Sequence, residues 1–134
     1  MSQRQFFEKI DTRILISTLW IVIMFNMAFA DILSFMIPGS LQAAISGTVD
    51  GVNITGELML IAALILEIPI AMILLSRTLK WKMNRNLNIA AALITIAFVV
   101  GGGSLALHYI FLGGIEVICL LLIIRIAWTW KEYS

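Results

Sequence analysis

Four stretches, roughly Ile14 to Ile37, Leu58 to Ser76, Leu87 to Leu107 and Tyr109 to Trp130, are each long and apolar enough to cross a bilayer. A hydrocarbon core of about 30 Å takes about 20 helical residues to traverse. Backbone held away from water must satisfy its own hydrogen bonds, which a helix does within one segment. With those spans inside 134 residues, the expectation is an all-α integral membrane four-helix bundle, one transmembrane domain over 1–134 with an outer loop at 38–57. At 61% hydrophobic and 13% charged, the chain is far from a soluble domain, for which about 45–50% and about 25% are usual. It has no room for a separate catalytic module or a nucleic-acid-binding surface, so the first partner to expect is the lipid bilayer.

The cations give the spans a direction. Arg4, Lys9 and Arg13 precede the first run, Arg77, Lys80, Lys82 and Arg85 lie between the second and third, and Arg125 and Lys131 close the fourth. The other two connections hold no Lys or Arg. Because Lys and Arg are retained on the cytoplasmic side, both termini and the central loop are expected to be cytoplasmic, with an up-down-up-down path. Trp81, Trp128, Trp130 and Tyr133 then fall at the cytoplasmic interface and Tyr109 at the outer one, where amphipathic rings prefer to sit. The basic central loop can also touch anionic headgroups. Ala28-Phe29-Ala30 before Asp31 imitates a signal-peptide cleavage site. Glu8 and Asp11 in the would-be leader, Asn26, and continued hydrophobicity through Ile37 argue that the first span is retained.

Within the outer loop, Asp50-Gly51 stands between the β-prone flanks Thr48-Val49 and Val52-Asn53. Asp-Gly suits the two φ > 0 positions of a type I′ hairpin turn. A two-stranded flap and a simple shortening turn both fit. Asn53-Ile54-Thr55 is a glycosylation acceptor triplet, meaningful only where secreted loops are glycosylated.

Chemistry has to come from the few polar groups in the spans. At about 1.5 Å per helical residue, Glu67 lies about 15 Å outward of Arg77 and Glu116 about 13 Å outward of Arg125, so both reach the midplane. Asn26 lies about 20 Å from Arg13, and Asp31 at about 27 Å is near the outer headgroups. His108 opens the fourth span on the outer side and Glu57 the second. A charged side chain at a helix centre costs on the order of 2.5–3.5 kcal/mol to insert, and with no Lys or Arg at their depth desolvation favours the neutral acid. Two readings of the pair stay open. Each glutamate can hydrogen-bond across helices to Asn26, Thr95 or the Ile65 carbonyl that Pro69 leaves without a donor, giving packing specificity alone. Alternatively they line a polar cavity for a proton, a cation or a polar ligand.

Several classes are struck out by composition. Cys119 is the only cysteine, so no intrachain disulfide or Cys-x-x-Cys chemistry is available. One histidine cannot supply bis-His haem ligation, and Glu67, Glu116 and His108 form no metal-ligand spacing. Gly101-Gly102-Gly103-Ser104 lacks the lysine of a phosphate loop. Gly113 and Gly114 read first as a small face for close packing. There is a weak echo between Glu67 through Arg77 and Glu116 through Arg125, a mid-span acid about ten residues before an arginine. Two similar hairpins would bring both glutamates to one shared interface.

Ser17-Thr18-Leu19-Trp20, Phe25-Asn26, Ala30-Asp31, Gly47-Thr48-Val49, Glu67-Ile68-Pro69-Ile70-Ala71, Leu74-Leu75-Ser76-Arg77 and Gly114-Ile115-Glu116 together resemble a small bacterial four-span family of unknown function. More loosely, the acid, Leu run and Arg of the second span are similar to the DoxX-like group. The first resemblance implies a multi-pass protein of the bacterial inner membrane. The second implies an auxiliary subunit of a quinone-linked redox system, with quinone as a candidate ligand, but transfers no catalytic residue. The leading expectation is a non-enzymatic membrane component that binds a small polar or amphipathic ligand, or conducts protons or cations, in a cavity with Glu67, Glu116 and Asn26, and with Asp31 and His108 at its outer mouth. So thin a unit would assemble as a homo-oligomer to form a pathway. An intramembrane enzyme with a neutral glutamate as general acid on a lipid is a further class that no motif demands.

Overall fold

The computed structural model describes residues 11–49, 51–103 and 105–131. Arg4, Glu8, Lys9, Asp50, Ser104 and Tyr133, used above, lie outside the described residues. The described chain has four long helices: α1 (Thr12–Phe35), α3 (Gly56–Thr78), α4 (Trp81–Gly101) and α5 (Leu107–Thr129). Between α1 and α3 lie a short helix, α2 (Ser40–Ile45), and the strands β1 (Thr48–Val49) and β2 (Val52–Asn53). All four long helices have the length and hydropathy to cross a membrane, consistent with a multi-pass membrane protein.

Helix starts follow local chemistry. The Asp11 carboxylate accepts from the Arg13 amide at 2.9 Å, and Thr55 Oγ1 accepts from the Leu58 amide at 3.1 Å; each satisfies an amide that the first helical turn leaves unpaired. The largest departure from the expected spans is α4, which begins at Trp81 rather than near Leu87 and stops at Gly101 rather than Leu107. Hydropathy measures burial in hydrocarbon, whereas the helix continues through the polar turn Lys82 to Asn86. Residues 102–106 then separate α4 from α5. The loop hairpin does form, pairing Thr48 with Asn53 and Val49 with Val52, and Gly51 takes φ +78°, the left-handed conformation for which glycine is suited.

The helices pack as a ring. The backbones of α1 and α4 each run close to α3 and α5, while the diagonal pairs stay apart. The buried residues of α1 (Ile16, Trp20, Ile23, Met27, Ala30) and α5 (Gly113, Glu116, Leu120, Ile123, Ala127) recur at three- and four-residue steps, so each helix turns one stripe inward. The interior is mainly apolar but admits polar groups, and the exterior is apolar too, unlike that of a soluble bundle. Ser17, Ser76, Asn84, Asn88, Thr95 and Glu116 are buried, while Phe25, Phe29, Leu64 and Phe111 face outward. In hydrocarbon the outside needs no polar cover, and polar groups serve as contacts between helices.

One end of the ring is tied by a hydrogen-bond network centred on Asn88. Its Oδ1 accepts from Trp20 Nε1 at 2.7 Å, across the diagonal, and from Ser76 Oγ at 3.2 Å. Its Nδ2 donates to the Asn84 carbonyl at 2.9 Å and to Asn84 Oδ1 at 2.6 Å. The amide thus uses both lone pairs and both hydrogens. Asn84 Nδ2 donates onward to the Ser76 carbonyl, and Ser17 Oγ accepts from Arg77 Nε while donating to the Ile73 carbonyl. Trp81, Trp128 and Trp130 gather at the same end: the Arg85 guanidinium lies 5.9 Å from the Trp81 ring and 5.7 Å from that of Trp128, and Arg13 lies 5.7 Å from Trp130.

Candidate functional site: an acid-lined cavity inside the bundle

Glu116 is carried inward because it falls in phase with the buried stripe of α5, one turn beyond Gly113. It is 2% exposed, and its Oε1 has no hydrogen-bond partner. That is rare for a buried polar atom, since most find a partner in protein or ordered water. Neither side chain that a packing role would use forms a hydrogen bond with Glu116. Asn26 Nδ2 donates to the Val22 carbonyl of its own helix at 2.8 Å, and Thr95 Oγ1 to the Ala91 carbonyl at 2.8 Å.

Beside Glu116 lies a cavity of about 290 Å³ to which all four long helices contribute. Asp31, Tyr109 and Glu116 are its ionisable lining, with Met27, Leu66 and Phe98 among its apolar walls. Ala30, Ala62 and Gly102 also line it, and their small or absent side chains are what leave the space open. Tyr109, Gly113 and Glu116 lie at i, i+4 and i+7 on one face of α5. Tyr109 Oη donates to the Val99 carbonyl at 3.3 Å, fixing the ring against the end of α4. A Cβ built on Gly113 would meet Tyr109 Cε1 at 3.7 Å and Glu116 Oε2 at 3.8 Å, ordinary contact, so this glycine is not forced by crowding.

Asp31 is exposed and borders two spaces at once. Besides the inner cavity it lines an open basin of about 680 Å³, over which Pro38, Ala43 and Val49 of the loop, α2 and β1 lie. Ser34 lines the same basin and contacts His108 Nε2 at 3.0 Å. The acid therefore stands where the basin and the cavity share a wall.

The structure brings together only part of the expected set. Glu116 and Asp31 share the cavity, and His108 stands at the edge of the basin through Ser34. Asn26 instead lines a separate groove of about 280 Å³ with Phe25, Phe29, Leu33 and Leu112. Glu67 lines none of these spaces: it is exposed on α3, two residues from buried Pro69 and so on the far side of the helix. The echo between the two acids therefore does not carry over into a shared interface, because Glu116 is in phase with its helix's buried stripe and Glu67 is out of phase with Pro69, Met72 and Ser76. Tyr109, Met27 and Phe98 were missed as site residues by sequence reasoning. Only the Tyr109-Gly113-Glu116 spacing could have hinted at them. Among the described residues no three His, Cys, Asp or Glu side chains gather as a metal site.

A family of unknown function, DUF6326, matches residues 4–134, nearly the whole chain, and the protein belongs to that family. No curated protein and no solved structure matches it.

Proposed function

We propose that this member of DUF6326 is a multi-pass protein of the bacterial inner membrane that binds a small amphipathic cation in the cavity beside Glu116. The observation that carries the reading is the buried, unpartnered Oε1 of Glu116 at the edge of a space of about 290 Å³. Every Lys and Arg among the described residues belongs to the opposite end of the helices or the segments beside it, so the carboxyl either holds a proton or is balanced by a cation from outside. Tyr109 and Phe98 supply aromatic faces, which attract a cation through the ring quadrupole, and Met27 and Met59 supply adaptable apolar walls. At about 30 Å³ of liquid volume per water, the space suits roughly ten non-hydrogen atoms. Asp31, bordering both the basin and the cavity, provides the way in, and the same route can carry protons.

The reading includes an up-down-up-down path with both termini cytoplasmic. It is supported by the segregation of Arg13, Arg77, Lys80, Lys82, Arg85, Arg125 and Lys131 to one end. Maleimide labelling of Lys82→Cys from the cytoplasmic side and of Thr48→Cys from the outside is the expected result; the reverse would overturn the orientation.

Binding is tested in detergent with benzylamine against neutral benzyl alcohol by titration calorimetry. The amine is expected to bind at least about tenfold tighter, the equivalent of about 1.4 kcal/mol, and Glu116→Gln is expected to erase the difference. Equal binding of the two compounds, or a preference surviving in Glu116→Gln, would refute the proposal.

A further inference from the structure

Glu67 sits in the middle of α3, faces away from the bundle and makes no hydrogen bond or ion pair with any described residue. Its helix is also the least covered of the four: only Pro69, Met72 and Ser76 are buried along it, against six residues in each of the others. Leu60, Ala63, Glu67, Ile70 and Leu74 all face outward and recur at steps of three and four, the spacing of a left-handed helix seam. We propose that this seam is a two-fold homodimer interface, in which the Glu67 carboxyls of two copies hydrogen-bond to each other.

The occupant follows from the chemistry of the group. A protonated carboxyl carries one donor and one acceptor, so two of them are mutually complementary and satisfy each other with two hydrogen bonds. In hydrocarbon an unpaired carboxyl is costly, and water is absent to relieve it. A two-fold axis along the membrane normal sets every residue opposite its own copy at equal depth. An identical chain therefore satisfies Glu67 without any second kind of polar group. A head-to-tail contact would need another outward polar group at that depth. Asn26, whose Nδ2 gives one of its two hydrogens to the Val22 carbonyl, is the nearest candidate, but it lies at a different depth. Ser17 Oγ donates to the Ile73 carbonyl at 2.8 Å, and so short a side chain sets those turns of α1 and α3 level. Counted outward from that contact, Asn26 lies about 14 Å along α1 and Glu67 about 9 Å along α3, a mismatch of about 5 Å, or one helical turn.

The test uses the full chain in native membranes with Cys119, the only cysteine, replaced by Ala. Single cysteines are placed at Ala63 and Ile70 on the seam, and at Leu93 on α4 and Leu121 on α5 as outward-facing controls. Under copper-phenanthroline oxidation, covalent dimer is expected to form at least about tenfold faster at the seam positions than at the controls. Introducing Glu67→Leu should slow seam cross-linking about tenfold, the effect of losing two intramembrane hydrogen bonds. Glu67→Gln, which keeps a donor and an acceptor, should retain it. Leucine on an outward face makes the span more apolar and leaves the bundle interior untouched, so a slower reaction reports assembly rather than folding. Equal rates on all faces, no effect of Glu67→Leu, or preferential coupling of Asn26→Cys with Glu67→Cys would overturn the proposal. None of these readouts involves Glu116, so the dimer and the ligand site stand or fall separately.

Discussion

Replacing Glu116 by leucine should stabilise the protein while removing its ligand. The carboxyl is 2% exposed and its Oε1 has no partner, and a buried polar group left unsatisfied costs about 1–3 kcal/mol. Leucine is of similar bulk, adds no polar atom, and returns roughly 0.3–0.6 kcal/mol on insertion where an acid at mid-span is penalised. The expected gain is therefore about 1–3 kcal/mol of unfolding free energy. It is measured by reversible unfolding in mixed micelles of rising sodium dodecyl sulfate, followed by tryptophan fluorescence, to which the buried Trp20 contributes. Amine binding should vanish in the same variant. A loss of more than about 1 kcal/mol would mean that the carboxyl holds helices together, as an ordinary buried hydrogen-bonding group does, and the ligand reading would fail with it.

Asn88→Ala is expected to do the opposite, because it removes an amide whose every hydrogen-bonding position is used. At about 0.6 kcal/mol for each intramembrane side-chain bond, the loss should be about 2 kcal/mol in the same unfolding assay; a change below about 0.5 kcal/mol would show the network to be incidental. Trp20→Phe should lose only the single bond to Asn88 and destabilise by less than Asn88→Ala. Gly51→Ala forces a Cβ into φ +78°, at a cost of about 1–2 kcal/mol. Faster amide exchange is expected at Ile54, whose amide donates to Gly47 across the base of the hairpin, with exchange in the long helices unchanged.

The sites were legible in unequal measure. Depth could be counted along the chain, so Glu67 and Glu116 were both recognisable as mid-span acids. Rotation about the helix axis could not, because α5 is apolar on nearly every side and offers no periodicity to mark its inner face. Ile118 and Leu121 face outward while Leu120 and Ile123 are buried, with nothing in their chemistry to distinguish them. The buried network was overlooked for a related reason. Asn84 and Asn88 sit within a turn or two of Lys82 and Arg85, where polar residues read as headgroup contacts, yet both are fully buried. Their inward direction depends on Trp20 and Ser76 offering partners from other helices.

Which four segments can cross a bilayer, and which of their ends carry the cations, was determined by the sequence alone, because hydrocarbon charges each residue its transfer free energy locally. Only the tertiary structure decided that Glu116 faces a cavity with Asp31 while Glu67 faces outward. That choice is set by how each helix is turned against its neighbours, and the turn is fixed by side-chain fit between segments distant in the chain.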